Sequence, residues 1–169
     1  FPKLQNILNN NTTIGEIKPS YARQLKFRCT VRDNILAGAG VTYNDTPVTL
    51  TVDGNSGPFE VTSQNTSGVV WTGNSTETVT WNVANTSNSP INCASVNVVL
   101  SLNGGTDFTI TLGNNVPNNG SHTFTVPNVS TSTARVMVES VGNIFFDINN
   151  ANFTINPVSV NENQFAASI

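Results

Sequence analysis

The sequence predicts an all-β protein: an Ig-like antiparallel β-sandwich preceded by part of a second β-sandwich domain. Three observations carry this prediction. Only 10% of the residues are charged, and Asn and Thr, which favour turns and strands respectively, together make up about three residues in ten. Apolar and polar residues alternate over short runs, as they do in half-buried strands. Clusters of Gly, Pro, Asn and Ser separate these runs at the spacing typical of sandwiches.

Residues 1–52 are interpreted as the C-terminal part of a β-sandwich domain. Polar residues alternate with apolar ones in residues 23–32, and the apolar positions are Leu25, Phe27, Cys29 and Val31. Residues 47–52 alternate in the same way, and a loop is expected between the two runs. Two or three strands cannot bury a core alone. We therefore expect an upstream part of the same polypeptide, or another chain, to complete residues 1–52. Residues 53–58 are turn formers and predict a linker.

Residues 59–156 contain eight or so short strands, which predict the Ig-like β-sandwich module. Trp81 shares one strand face with Val79 and Val83, so we expect it in the core. Trp71 stands at a strand end, where its neighbours leave two alternatives open: packing in the core or rim, or a platform on which a ligand stacks. Residues 114–121 are rich in Asn, Pro and Gly and predict a turn.

Charge is distributed unevenly along the chain. Residues 1–52 carry six basic and three acidic groups, a net +3, whereas residues 53–169 carry one basic and seven acidic groups, a net −6. The basic residues alternate with apolar ones along a strand, a pattern that does not indicate a nucleic-acid binder. No apolar run is long enough to insert into a membrane. Cys29 and Cys93 both occupy apolar positions, which favours buried free thiols over a disulfide.

No catalytic residues are predicted, so the sequence does not indicate an enzyme. A zincin helix needs two His residues, and a Ser-His-Asp arrangement also needs a His, but His122 is the only one and it lies at the mouth of a strand. Asp107 and Asp147 each adjoin an aromatic residue that we expect to be buried, and they are interpreted as turn acceptors.

Two kinds of candidate residue remain: carboxylates that would coordinate calcium, and aromatic rings that would stack against a bound molecule. Asp33, Asp45 and Asp53 lie at strand ends, where some extracellular sandwiches bind Ca²⁺ through carboxylates, although their spacing matches no fixed loop. Capping of loops is the alternative role for these three carboxylates. The aromatic candidates for ligand binding are Trp71 and Tyr43.

Several short motifs between residues 57 and 156 carry a resemblance to a known family. They are Gly57-Pro58-Phe59, Val79-Thr80-Trp81, Gly104-Gly105 and Ala134-Arg135. This stretch resembles the C-terminal Ig-like accessory region of secreted reprolysin-like zinc metallopeptidases of the Bacteroidetes type, which are cargo of type IX secretion. The catalytic domain of those proteins is not in this sequence. Asn103 stands where the family often has an acidic residue, which argues against calcium at that turn.

The resemblance implies a secreted or cell-surface, non-catalytic accessory module that positions an enzyme or binds its substrate or a surface glycan. It also implies that residues 157–169 are a linker towards a C-terminal sorting domain. A structural or adhesive spacer of a bacterial cell-surface protein or filament is the alternative. A third hypothesis is an enzyme whose site is shared with an upstream domain. We expect no cofactor other than calcium.

Overall fold

The computed structural model describes residues 2–35, 38 and 40–159 of the chain. The linker predicted over residues 157–169 lies outside the described residues from position 160 onwards. The chain divides into two compact units. Residues 2–17 together with residues 56–159 form one of them, here called the sandwich unit, and residues 18–55 form the other, the ribbon unit.

The described residues form one short helix and thirteen strands, so the all-β prediction is confirmed. In chain order the elements are α1 (Leu4–Leu8), β1 (Arg23–Phe27), β2 (Thr30–Arg32), β3 (Val41–Tyr43), β4 (Val48–Val52), β5 (Glu60–Val61), β6 (Val70–Thr72), β7 (Thr76–Asn82), β8 (Ser95–Ser101), β9 (Ile110–Pro117), β10 (Ser121–Thr125), β11 (Thr131–Ser140), β12 (Phe146–Ile148) and β13 (Phe153–Asn156).

The sandwich unit consists of two sheets that share one hydrophobic core. The smaller sheet has the strand order β10-β7-β5. The larger sheet has the order β6-β13-β11-β8-β9, and β12 also pairs with β11. The described pairs in these sheets are antiparallel except for β6 and β13, which run parallel. The sandwich is therefore not purely antiparallel, which the sequence did not indicate.

Inward-facing residues of both sheets fill the core, as the alternation predicts. Val79 on β7, Val98 on β8 and Val136 on β11 are completely buried. Full burial of a Val side chain stabilises the folded state by about 1.5–3 kcal/mol. Trp81 is 3% exposed, which confirms its predicted place in the core.

The segment that follows Asn114 differs from the sequence prediction. β9 continues to Pro117 and pairs with β8 through two register shifts. Asn115 has a φ of 53°, and its N–H donates to Asn97 Oδ1 at 2.8 Å. These turn-forming residues therefore make irregularities within a strand, as β-bulges do, and do not end it. The prediction of a turn that begins at residue 114 is wrong.

The N-terminal helix α1 belongs to the sandwich unit, whereas the sequence predicts a single domain part over residues 1–52. Leu8 is 7% exposed and lies against Gly105. A Cβ at Gly105 would lie 2.4 Å from Leu8 Cδ2, so a larger residue at this position would require the leucine to move. Gly105 also has a φ of 90°, a conformation that glycine adopts at little cost.

The ribbon unit contains two antiparallel strand pairs, β1 with β4 and β2 with β3. β3 lies inside the stretch that the sequence assigned to a loop. Leu25 and Leu50 stand opposite each other and are half-buried, whereas Val31 and Val48 are 58% and 61% exposed. Two-stranded sheets bury little apolar surface, so this unit keeps several apolar side chains in contact with solvent.

Candidate binding surface

Asn44 connects the two strand pairs of the ribbon unit. Its side-chain Oδ1 accepts a hydrogen bond from the N–H of Cys29 at 2.7 Å, and its own N–H donates to the Cys29 carbonyl at 3.3 Å. Its Nδ2 donates to the carbonyl of Thr46. Asn is suited to this role because its short side chain bonds nearby backbone groups. Asn44 therefore fixes the backbone that carries its neighbour Tyr43.

Arg28 and Tyr43 form a cation–π pair beside this asparagine. The guanidinium carbon of Arg28 lies 5.4 Å from the centroid of the Tyr43 ring. Arg28 Nη1 also donates to the carbonyl of Asn44 at 2.7 Å. Tyr43 remains 57% exposed. An exposed cation–π contact contributes about 0.5–1 kcal/mol, and the additional hydrogen bond reduces the freedom of the arginine further. The pair is an aromatic ring and a positive charge held together at the surface.

A second tyrosine and arginine meet at the start of the ribbon. The guanidinium carbon of Arg23 lies 5.5 Å from the Tyr21 ring centroid, and Nη1 of Arg23 donates to the Tyr21 hydroxyl at 3.2 Å. Arg23 shares its strand face with Leu25, whereas Lys26 lies on the opposite face. The β1–β4 pair therefore has one largely apolar face, and Lys26 lies on its other, polar face.

The predicted calcium ligands do not form a common site. Asp33 accepts hydrogen bonds from the N–H groups of Gly40 at 2.9 Å and Ile35 at 3.2 Å. These backbone donors, Gly40 first, hold the pKa of the Asp33 carboxyl below its ordinary value. Asp45 is exposed and Asp53 is half-buried. Within the described part of the chain, no group of three or more His, Cys, Asp or Glu residues is placed to hold a metal ion.

Trp71 has no face available to a ligand. Its side chain is 1% exposed, and its ring centroid lies 4.3 Å from that of Phe153 and 5.4 Å from that of Phe124. β6 pairs with β13, and this pairing places Trp71 opposite Ile155 in the buried layer. Of the two alternatives for this residue, core packing is confirmed, and its candidacy as a stacking platform is wrong. Tyr43 is the aromatic candidate that the structure leaves exposed.

The residues considered for catalysis form hydrogen bonds with strands and turns of the sandwich unit. His122 Nε2 lies 3.1 Å from the carbonyl oxygen of Leu112. Asp147 Oδ2 accepts a hydrogen bond from the N–H of Val61 at 2.7 Å. The N–H of Asp107 donates to Asn103 Oδ1 at 3.2 Å. These contacts are those of strand and turn residues.

Both cysteines are free thiols, but only one is buried. Cys93 is 2% exposed, and its Sγ lies 3.2 Å from the carbonyl oxygen of Ser95. Cys29 is exposed, so its predicted burial is wrong. Cys29 lies in the irregular segment between β1 and β2, so its position in the apolar series of the sequence does not bury it.

No protein-family model matches the chain, and no curated protein sequence matches it. Among the described residues, the structure has no helix with the length and hydropathy that a membrane span requires. A function for this chain therefore has to be inferred from its exposed residues, such as Tyr43 and Arg28.

Proposed function

We propose that the chain is a non-catalytic extracellular binding module, an accessory region of a secreted metallopeptidase-like protein. It would hold the substrate of the parent enzyme or a surface glycan. The observation that carries the proposal is the exposed Tyr43 ring, which Arg28 and Asn44 hold in place. An aromatic ring that is already positioned offers contact area at a small entropic cost on binding.

Two further observations support an extracellular binding module. The resemblance of residues 57–156 to the accessory region of secreted reprolysin-like metallopeptidases is the first. The second is the outer face of the smaller sheet, where hydroxyl groups pair across strands. Thr78 and Thr123 Oγ1 lie 2.9 Å apart, and Thr62 and Thr80 Oγ1 lie 2.8 Å apart. Such a surface is polar but nearly uncharged, which suits a module that is exposed to solvent and to proteases.

Retention on insoluble polymers tests the proposal. The intact chain is incubated with a panel of insoluble polysaccharides and fibrous proteins, and the bound fraction is measured for the wild type, Tyr43→Ala and Tyr21→Ala. Tyr21 is the matched control because it is 60% exposed and also contacts an arginine. We expect retention on at least one polymer, lost in Tyr43→Ala and kept in Tyr21→Ala. Equal loss in both variants, or no retention of the wild type, would contradict the proposal.

A structural or adhesive spacer is the second candidate, and the apolar face of the ribbon favours it. Val48 is 61% exposed, and the half-buried Leu25 and Leu50 lie on the same face of the β1–β4 pair. Strands from another chain, or from elsewhere in the same polypeptide, would cover this face in a filament or a larger protein. Sedimentation velocity across a range of concentrations tests it. Self-association that Val48→Lys abolishes, without polymer retention, would favour the spacer.

A further inference from the structure

We propose that the ribbon unit binds an anionic polysaccharide through its basic face, defined as Lys26, Arg28, Arg32 and Tyr43. The inference rests on the proposed binding function and names its ligand class. The polymer would carry carboxylate or sulfate groups on sugar rings. The cations would bind those groups, and the tyrosine would pack against a ring.

The strand register places Lys26 on one face of the β1–β4 pair, and it places Arg32 and Tyr43 together on one face of the β2–β3 pair. Lys26 lies opposite Thr49 in the β1–β4 pair. In the β2–β3 pair, Arg32 lies opposite Val41, and Tyr43 lies opposite Thr30. Thr30 is two residues before Arg32 on the same strand. Residues two apart on a strand share a face. Arg28 directly follows β1, and its contact with Tyr43 on β3 brings the two groups of residues together.

The cations of this face have no carboxylate partner among the described residues. The ion pair found in the described part of the chain is Lys3 with Glu16, in the sandwich unit. The carboxylate nearest in sequence to Arg32 is Asp33, and it accepts N–H groups of its own loop. Lys26, Arg28 and Arg32 are all exposed. An anionic ligand therefore does not have to displace an internal carboxylate before it binds these groups.

Of the three cations, Arg28 has the side chain whose position is fixed by the most contacts before a ligand binds. A guanidinium has five N–H donors in a plane, which match the paired oxygens of a carboxylate or a sulfate. In the described structure one donor, Nη1, is used by the carbonyl of Asn44. The Tyr43 ring holds the plane of the group from another side. Charge-assisted hydrogen bonds from a pre-positioned arginine are stronger than those of a mobile lysine.

The spacing of the charges favours a polysaccharide over a nucleic acid. Lys26 on β1 and Arg28 just after it are about 7 Å apart at roughly 3.4 Å per residue of extended chain, and Arg32 lies on the next strand. Duplex DNA carries one charge per about 1.7 Å of its axis, which calls for a denser row of cations. Polygalacturonate carries one carboxylate on each sugar, which is a wider spacing of charge than that of duplex DNA.

Affinity measurements on the intact chain test this inference. The probes are polygalacturonate and dextran sulfate, with neutral dextran and a thymidine oligonucleotide as comparisons. Binding is measured by interferometry at low and at physiological salt. We expect both charged polysaccharides to bind, and the affinity to fall as salt rises, because screening weakens exposed charge contacts. Neutral dextran and the oligonucleotide should bind at least about tenfold more weakly, the equivalent of one charge-assisted contact.

Variants locate the site. Arg28→Gln should lower the affinity for polygalacturonate about tenfold, and Lys26→Gln, which alters no contact within the described structure, should lower it about threefold. Arg23→Gln is the matched control, since it removes the same charge from β1, on the face opposite to Lys26, together with the Arg23 contact to Tyr21. The affinity of this variant should stay within about twofold of the wild type, because Arg23 lies outside the basic face. Circular dichroism verifies that each variant is folded.

The outcomes separate this inference from the proposed function. Retention on neutral polysaccharide or fibrous protein, without binding to charged polysaccharides, would overturn the inference and leave the binding module intact. Equal losses in Arg28→Gln and Arg23→Gln would show an effect of net charge alone and would also overturn it. Tighter binding of the oligonucleotide than of the charged polysaccharides would overturn the inference and indicate a nucleic acid as the ligand. No binding to any polymer would overturn both proposals.

Discussion

The guanidinium of Arg135 donates a hydrogen bond from Nη2 to the carbonyl of Leu8 at 3.1 Å, across 127 positions of sequence. Its Nε donates to Asn152 Oδ1 and its Nη1 to the carbonyl of Asn149, each at 2.6 Å. The side chain is 8% exposed, and desolvation lowers the pKa of its guanidinium from the ordinary value. Arg135 thus joins the end of α1, the strand β11 and the turn between β12 and β13.

Replacing Arg135 with Ala should lower the free energy of unfolding by about 3 kcal/mol, because three buried or partly buried acceptors lose a charged donor. The measurement is a urea titration followed by circular dichroism. Arg23→Ala is the control, since Arg23 is exposed, and it should change the free energy of unfolding by about 0.5 kcal/mol or less. Equal midpoints for the two variants would show that the contacts of Arg135 do not stabilise the fold.

Gly105→Ala should destabilise the sandwich unit more than Gly104→Ala does. Both glycines have a positive φ, so each alanine incurs about 1–2 kcal/mol of backbone strain. At Gly105 the new Cβ would also meet Leu8 Cδ2, whereas at Gly104 no atom lies within 4 Å. Differential scanning calorimetry compares the melting temperatures. Adding Leu8→Ala to Gly105→Ala should recover part of the loss, and a strictly additive double variant would argue against the clash.

Asn118→Ala should lower the free energy of unfolding by about 2–3 kcal/mol. Asn118 Oδ1 accepts the indole N–H of Trp81 at 2.9 Å, and its Nδ2 donates to Thr86 Oγ1 and to the carbonyl of Cys93 at 3.0 Å each. The asparagine is buried, so alanine leaves polar groups unpaired away from water. Guanidinium unfolding monitored by tryptophan fluorescence measures the change. The exposed Asn114 provides the control Asn114→Ala, and equal effects of both variants would contradict the prediction.

The interaction of Glu16 with α1 should weaken in acid. The carboxylate accepts the N–H of Lys3 at 3.1 Å and Asn6 Nδ2 at 2.8 Å. The backbone N–H of Lys3 is the main reason that the pKa of the Glu16 carboxyl lies below its ordinary value of 4.5. A lowered folded-state pKa means that the stabilisation is complete above pH 4.5 and is lost as the pH falls through the folded-state pKa.

An NMR titration of the Asn6 side-chain amide measures this pKa directly. The midpoint should lie below 4.5 in the wild type. Glu16→Gln removes the titrating group and should leave the amide shift nearly constant over the same range. A midpoint at or above 4.5 in the wild type would mean that the contacts with Lys3 and Asn6 do not persist in solution.

Alternation was sufficient to predict the long central strands. Val79 and Trp81 follow a strict two-residue period on β7, and both are buried as that period requires. Trp71 could not be placed in this way, because β6 has only three residues and its neighbours show no clear period. Its parallel partner Ile155 lies 84 positions later, a long-range pairing that a local pattern does not contain.

The candidate surface was predictable only in part. The alternation in residues 23–32 places Arg28 among the polar residues, and its side chain is exposed, although Arg28 lies just beyond the end of β1. The sequence does not indicate that Tyr43 lies beside Arg28, because two irregular segments separate the strand pairs and Asn44 sets their geometry through hydrogen bonds to Cys29. The helix α1 is too short to show a period, and contacts such as that of Leu8 with Gly105 hold it on the sandwich.

The position of β13 has a consequence for synthesis of the protein. β13 lies between β6 and β11 in the larger sheet. A nascent chain on the ribosome therefore cannot complete this sheet until Phe153–Asn156 has emerged. Until then, Trp71 lacks its contact with Phe153. Pairings so distant in sequence fold slowly and late. A chain that is stalled or cleaved before Phe153 lacks an interior strand of the larger sheet. The edges of β6 and β11 would then be unpaired and accessible to quality-control proteases.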